Sequence, residues 1–117
     1  MALPPKGKLV RDLIPEIIKS SGKVPITCQV SGPDLIAALR VKAKEEVGEL
    51  FEADNQQLLE EIADVYEVLR ALVACENHTW SEIEEIAKHK RGERGGFEDG
   101  TWLIESLEKD IRADKQG

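Results

Sequence analysis

An all-α fold is predicted for this chain of 117 residues by two observations. Aromatic residues are only 4% of it, and its apolar content rests on Leu, Ile, Val and Ala, which suit helix-on-helix packing better than a β-sandwich. Two long stretches, to about Ala53 and from Leu58 onward, carry apolar residues at helical spacing with a very short link between them. The expected architecture is a helical bundle built on two long antiparallel helices. Its length is that of one domain, residues 1–117, with a core at 8–100 and an extension at 101–117.

The elements follow in order. Lys8 to Lys19 sets Leu9, Leu13, Ile17 and Ile18 at helical spacing. Pro15 fits only near a helix start or a kink, so one short helix or two helical pieces are expected there. Ser20 to Pro33 holds two glycines and two prolines around the β-prone run Val24 to Val30, and reads as a connection that runs extended. Ser31 with Asp34 has the form of a capping box ahead of Pro33, and opens the first long helix. Asp54 or Asn55 caps the second, where Leu58, Ile62, Val65, Leu69 and Leu72 alternate steps of four and three as a packing seam. Thr79 and Glu82 form another capping box, before a helix from Trp80 to about Arg91. Arg91 to Gly100 contains four glycines and reads as a loop, and Leu103, Ile104, Leu107 and Ile111 suggest a terminal helix.

Charge and cysteine content narrow the function. The formal net charge is −7, from 23 acidic and 16 basic side chains, which argues against the broad positive face that long nucleic acid requires. A small anionic ligand stays compatible with it, since local cations outweigh an average field. Cys28 and Cys75 form no CxxC pair, and no window approaches the ~20 apolar residues of a membrane span. A reduced, cytoplasmic protein without a membrane partner is expected.

The acids carry the chemistry. At ~100° per residue, Ile36, Leu39, Ala43, Val47 and Leu50 form one arc of the first long helix, and Glu46 falls inside it with Glu49 at its edge. Glu61 sits at the edge of the second seam and Asp64 somewhat beyond it. An ionised carboxylate on a packed face costs several kcal/mol unless compensated, and Lys42 is the one basic residue well placed on that helix. Glu46-Val-Gly-Glu49 and Glu61-Ile-Ala-Asp64 each set two carboxylates one turn apart, so two antiparallel helices bring four acids together. Four such groups repel unless a cation lies between them, and all-oxygen ligation suits Mg²⁺, with Mn²⁺ as a substitute. A di-iron bundle needs Glu-x-x-His pairs, which neither His78 nor His89 supplies, and no EF-hand spacing occurs.

The pattern Glu45-Glu46-x-x-Glu49 followed by Glu61-x-x-Asp64 resembles the MazG-like, or all-α, nucleoside triphosphate pyrophosphohydrolases, which include dimeric dUTPases and phosphoribosyl-ATP pyrophosphohydrolase. Lys8-Leu-Val-Arg-Asp-Leu-Ile-Pro-Glu-Ile-Ile18 is similar to the start of one small-protein branch, and Lys90-Arg-Gly-Glu-Arg-Gly-Gly-Phe97 to its closing basic loop. The eleven residues between Glu49 and Glu61 are at the short end for the family and demand a tight turn. The resemblance implies a metal site completed by dimerisation, often within a tetramer, and cleavage between the α- and β-phosphates. It makes Glu46, Glu49, Glu61 and Asp64 the metal ligands, and leaves Glu45 behind them or as a base.

Three functions are compatible with these residues: a house-cleaning hydrolase that converts a (d)NTP to its monophosphate and pyrophosphate, a phosphoribosyl-ATP pyrophosphohydrolase of histidine biosynthesis, and a non-catalytic helical dimerisation module. In the enzyme, Glu45 or Glu49 orients or deprotonates the attacking water. Lys90, Arg91 and Arg94, with Lys88 before them, stand where a helix runs into glycines and are the candidates for phosphate contact, although a basic helix end also complements the helix dipole. Lys8 and Arg11 join them through the resemblance. Trp80 suits packing as well as it suits a base platform.

Overall fold

The computed structural model describes residues 3–109, and these contain four helices and no strand: α1 (Ile14–Ser20), α2 (Gly32–Glu52), α3 (Leu58–Cys75) and α4 (Trp80–Arg94). None of these helices is long and apolar enough to cross a membrane. The chain divides into two compact units, one up to Ile83 and one from Glu84 onward.

In the first unit, only Ile14–Ser20 of the Lys8 to Lys19 stretch is helical, with Pro15 in the first turn, where its missing N–H removes nothing. Gly22, at φ 90°, closes α1: Gly22 N–H donates to Lys19 O and Lys23 N–H to Ile18 O, the paired bonds that satisfy a helix's last carbonyls. The following segment has no regular structure as far as Ser31. Helix α2 begins at Gly32 with Pro33 beside it, but the Ser31 side chain makes no capping hydrogen bond, so the expected capping box does not form there. Asp54 Oδ1 accepts from Gln57 N–H at 2.9 Å within the link, but the residue that precedes α3 is Gln57, without a side-chain cap, so the expected cap by Asp54 or Asn55 does not form and α3 starts four residues later at Leu58.

Helices α2 and α3 pack against each other, and the core between them is small. Ala38, Leu39 and Val68 are the buried apolar residues among those described. The expected seam on α3 is corrected by this packing. Residues 61, 64, 65, 68, 71, 72 and 75 are half-buried or buried, whereas Leu58, Ile62 and Leu69 are exposed. The expected seam is therefore split: its Val65 and Leu72 lie on the half-buried face, and its Leu58, Ile62 and Leu69 on a strip roughly a third of a turn away. The strip on α2 is the one that contains Glu61 and Asp64.

Asn77 takes the left-handed conformation, φ 60°, that ends α3, with Asn77 N–H donating to Ala74 O and His78 N–H to Val73 O. The predicted box at α4 forms in both directions: Thr79 N–H donates to Glu82 Oε2 at 2.9 Å, and Glu82 N–H to Thr79 Oγ1 at 3.3 Å. Trp80 is half-buried and meets Tyr66 edge to face, with centroids 5.0 Å apart, which makes it a packing residue of this unit. Helix α4 runs three residues beyond the expected Arg91. Gly92 is accommodated inside it, and Gly95 at φ 81° ends it, donating to Arg91 O at 2.8 Å. Gly92 lowers helix propensity without breaking a hydrogen bond, so a glycine count overestimates the loop. The suggested terminal helix is not found: residues 101–109 are irregular, and Ile111 lies outside the described residues.

The box at α4 is pH-dependent. The Thr79 backbone N–H, and after it His78, hold the Glu82 carboxyl below the usual carboxylate range. A lowered acid pKa contributes stability in full above the unfolded-state value and loses it as pH falls through the folded-state value. Glu82→Gln is therefore expected to flatten the acid limb of the α4 helix signal, read by circular dichroism and by the Thr79 amide resonance, while Thr79→Ala is expected to cost about 1 kcal/mol near neutral pH.

Candidate metal centre

Three of the four expected ligands come together. Glu46 near the end of α2, and Glu61 and Asp64 in the first two turns of α3, each place a carboxylate oxygen within 4.8 Å of the others. The short link between the helices and the rotated α3 strip produce this convergence. Glu46 is buried, with 7% of its surface exposed, and shares its face with Leu39 two turns earlier.

The charge on Glu46 has one resident partner. Lys42 Nζ lies 3.2 Å from Glu46 Oε1, one turn back on the same helix, and 3.5 Å from Glu45 Oε1. The other oxygen, Glu46 Oε2, is buried without a hydrogen-bond donor, and so is Glu61 Oε2. A carboxylate oxygen is among the costliest polar atoms to bury without a donor. Glu49 stands outside the group of three and is exposed. Its carboxyl is held above the usual range, first by the negative charge of Glu46 and then by a hydrogen bond with that side chain, with burial, Glu61 and Glu45 adding to it. The acids therefore act on one another as a single field.

These residues fit a divalent cation on their donor chemistry. Octahedral Mg²⁺ sets adjacent ligands about 3 Å apart and opposite ones about 4.2 Å, so three hard oxygens within 4.8 Å of one another are gathered around a common centre and would close further on an ion. Two of those side chains also carry an oxygen that no protein donor reaches.

The remaining candidates fall into two groups. Lys8 and Arg11 are paired with acids: Lys8 Nζ is 3.6 Å from Glu45 Oε1, and Arg11 Nη2 is 2.6 Å from Asp64 Oδ1. Glu45 thus stands between two lysines, Lys8 and Lys42. In the second unit, Lys90, Arg91 and Arg94 line one cleft with Ala87, Gly95, Gly96, Phe97 and the acidic Glu98. All three cations are exposed. The Arg11–Asp64 pair is the element of the site that sequence reasoning misses, since 53 positions separate the partners.

Comparison with known proteins adds little. Over 50 residues the chain is 47% identical to an uncharacterised protein of Mycolicibacterium smegmatis, a match covering 43% of this chain and 51% of that one. No family profile and no solved structure matches.

Mutual repulsion among the acids implies that neutralising one stabilises the protein in the absence of metal. Glu61→Gln is expected to raise stability by about 1 kcal/mol in chelator, as relief of like-charge strain commonly does, and to abolish the gain in melting temperature expected when Mg²⁺ is added to the wild type. Thermal denaturation with and without Mg²⁺ checks both; an equal Mg²⁺-induced rise in both proteins would place the cation elsewhere.

Proposed function

We propose that this protein is a Mg²⁺-dependent nucleoside triphosphate pyrophosphohydrolase of the MazG-like type, which converts a (d)NTP and water to the monophosphate and pyrophosphate. The observation that carries the reading is Glu46: a carboxylate buried to 7% exposure, with one oxygen lacking any donor, beside oxygens of Glu61 and Asp64. Such an arrangement is unfavourable by itself and favourable around a cation. The resemblance of these acids and of the 8–18 and 90–97 stretches to the family supplies the reaction.

In this reading Glu46, Glu61 and Asp64 hold the metal, and α2 and α3 run antiparallel to present them. Mg²⁺ bound there supplies charge neutralisation for the leaving pyrophosphate and a water of lowered pKa. Glu49, exposed and outside the group of three, is the carboxylate best placed to orient that water, because Glu45 is engaged by Lys8 and Lys42. As the water oxygen bonds to the α-phosphorus and its proton passes to Glu49, the α–β phosphoanhydride bond breaks and its electron pair departs on the leaving pyrophosphate. In the second unit, Lys90, Arg91 and Arg94 offer charge-assisted hydrogen bonds to phosphate oxygens.

A homodimer or homotetramer belongs to the same proposal. Phe51 is 87% exposed and Val47 50%, and α3 keeps Leu58, Ile62 and Leu69 in water as well. An apolar surface of this kind on a chain with so small a core supports association with a second copy.

One observation favours the rival reading of a non-catalytic helical module: Lys42 and Arg11 already neutralise Glu46 and Asp64 within the chain. A single assay separates the two. Pyrophosphate release is to be measured with Mg²⁺ across the dNTPs, NTPs and phosphoribosyl-ATP, for the wild type and Asp64→Asn. The proposal expects turnover of at least one nucleotide and a loss of roughly 100-fold or more in kcat for the variant. Turnover of phosphoribosyl-ATP alone assigns the histidine-pathway reaction, and inactivity throughout assigns the module.

A further inference from the structure

The segment before α1 has no regular secondary structure, yet it is held close to the acids. Leu9, Leu13 and Ile14 line the same groove as Leu39, Glu46 and Asp64. From this segment Arg11 reaches Asp64, its Nη2 2.6 Å from Oδ1, at the short end of charge-assisted hydrogen bonds. Asp64 is also a member of the group of three whose oxygens lie within 4.8 Å. Within this group Glu46 is buried, with Oε1 paired to Lys42 and Oε2 without a donor. A guanidinium therefore sits on one ligand of the group, while Glu46 Oε2 and Glu61 Oε2 remain without donors.

We propose that Arg11 is an internal counter-ion of the cation site, exchanged for the divalent metal, so that loading the site releases residues 8–13 from α3. The inference rests on the metal-binding reading above and adds the exchange to it. A divalent cation on Asp64 repels a guanidinium a few ångströms away with about twice the energy of two unit charges. Arginine cannot relieve that repulsion by losing its proton, so it must move. The exposure of the pair makes the movement cheap: the Arg11 side chain is 57% exposed and that of Asp64 39%, and exposed ion pairs hold weakly.

Lys42 differs on each point. Its side chain is only 15% exposed, it lies on the same helix as Glu46, and it touches Glu45 as well, so it stays as the resident partner. Arg11 is the exchangeable one. Once displaced, its guanidinium is available to a phosphate oxygen, which reconciles the observed ion pair with the role that the 8–18 resemblance implies.

Two measurements test this: Mg²⁺ titration by calorimetry of the wild type, Arg11→Met, Arg11→Lys and Asp64→Asn, and amide hydrogen exchange of residues 8–13 with and without Mg²⁺. Arg11→Met is expected to bind Mg²⁺ about two- to five-fold more tightly than the wild type, the range set by removing one exposed ion pair. Arg11→Lys is expected to fall between them, and Asp64→Asn to bind at least tenfold more weakly. Exchange at 8–13 is expected to quicken on Mg²⁺ addition in the wild type and to be fast with or without it in Arg11→Met. If the wild type binds Mg²⁺ but Arg11→Met binds no more tightly, or if wild-type exchange at 8–13 does not change, the counter-ion role is wrong and the metal site stands. Absence of Mg²⁺ binding in the wild type and in Arg11→Met overturns both. Should Arg11→Met fail to fold, the wild-type exchange measurement decides alone.

Discussion

Packing of α2 on α3 buries Leu39 and Val68, and because Glu46 shares a face with Leu39, the same contact draws an ionised carboxylate out of water. The 3.2 Å pair with Lys42 is what makes that burial tolerable, and it serves only one of the two carboxylate oxygens. The rest of the acidic site follows from this constraint. Glu61 and Asp64 are brought to Glu46 by the α3 face that meets α2, Glu49 is raised chiefly by the Glu46 charge, and Arg11 is attracted into the remaining negative field. A lysine one turn back on the same helix stays within reach of Glu46 for as long as that helix is formed.

Local signals in the chain read correctly where the physics is local. The Thr79–Glu82 box needs only four consecutive residues, and it forms with both hydrogen bonds. Glu46 is equally legible, since a carboxylate inside an apolar arc is visible from spacing alone, and it is buried. The Ser31 cap has the right letters and no bond, because Gly32 and Pro33 start α2 without needing a side-chain acceptor. The extension of α4 through Gly92 shows the opposite error, in which a propensity penalty is mistaken for a stop.

Where two surfaces compete, spacing alone is ambiguous. Helix α3 has enough apolar residues for two strips, and the expected seam straddles them, with Val65 and Leu72 half-buried and Leu58, Ile62 and Leu69 left in water. The correct strip includes Glu61 and Asp64, so periodicity based on hydrophobicity scores against it. Only the partner helix decides between them. The Arg11–Asp64 pair is a stronger case of the same limit: it joins an irregular segment to a helix 53 positions away, and no window of sequence contains both.

Val68 and Leu69 are adjacent in the chain and answer to different demands. Val68 is 9% exposed against α2, while Leu69 stands 37% exposed on the neighbouring strip with Leu58 and Ile62. Substitution of Val68 is felt by the isolated chain as a packing defect, whereas at Leu69 the isolated chain would register a gain in solubility and little else. The two neighbours thus divide the effects of mutation between folding inside one molecule and encounter between molecules, and only the second depends on how crowded the protein is.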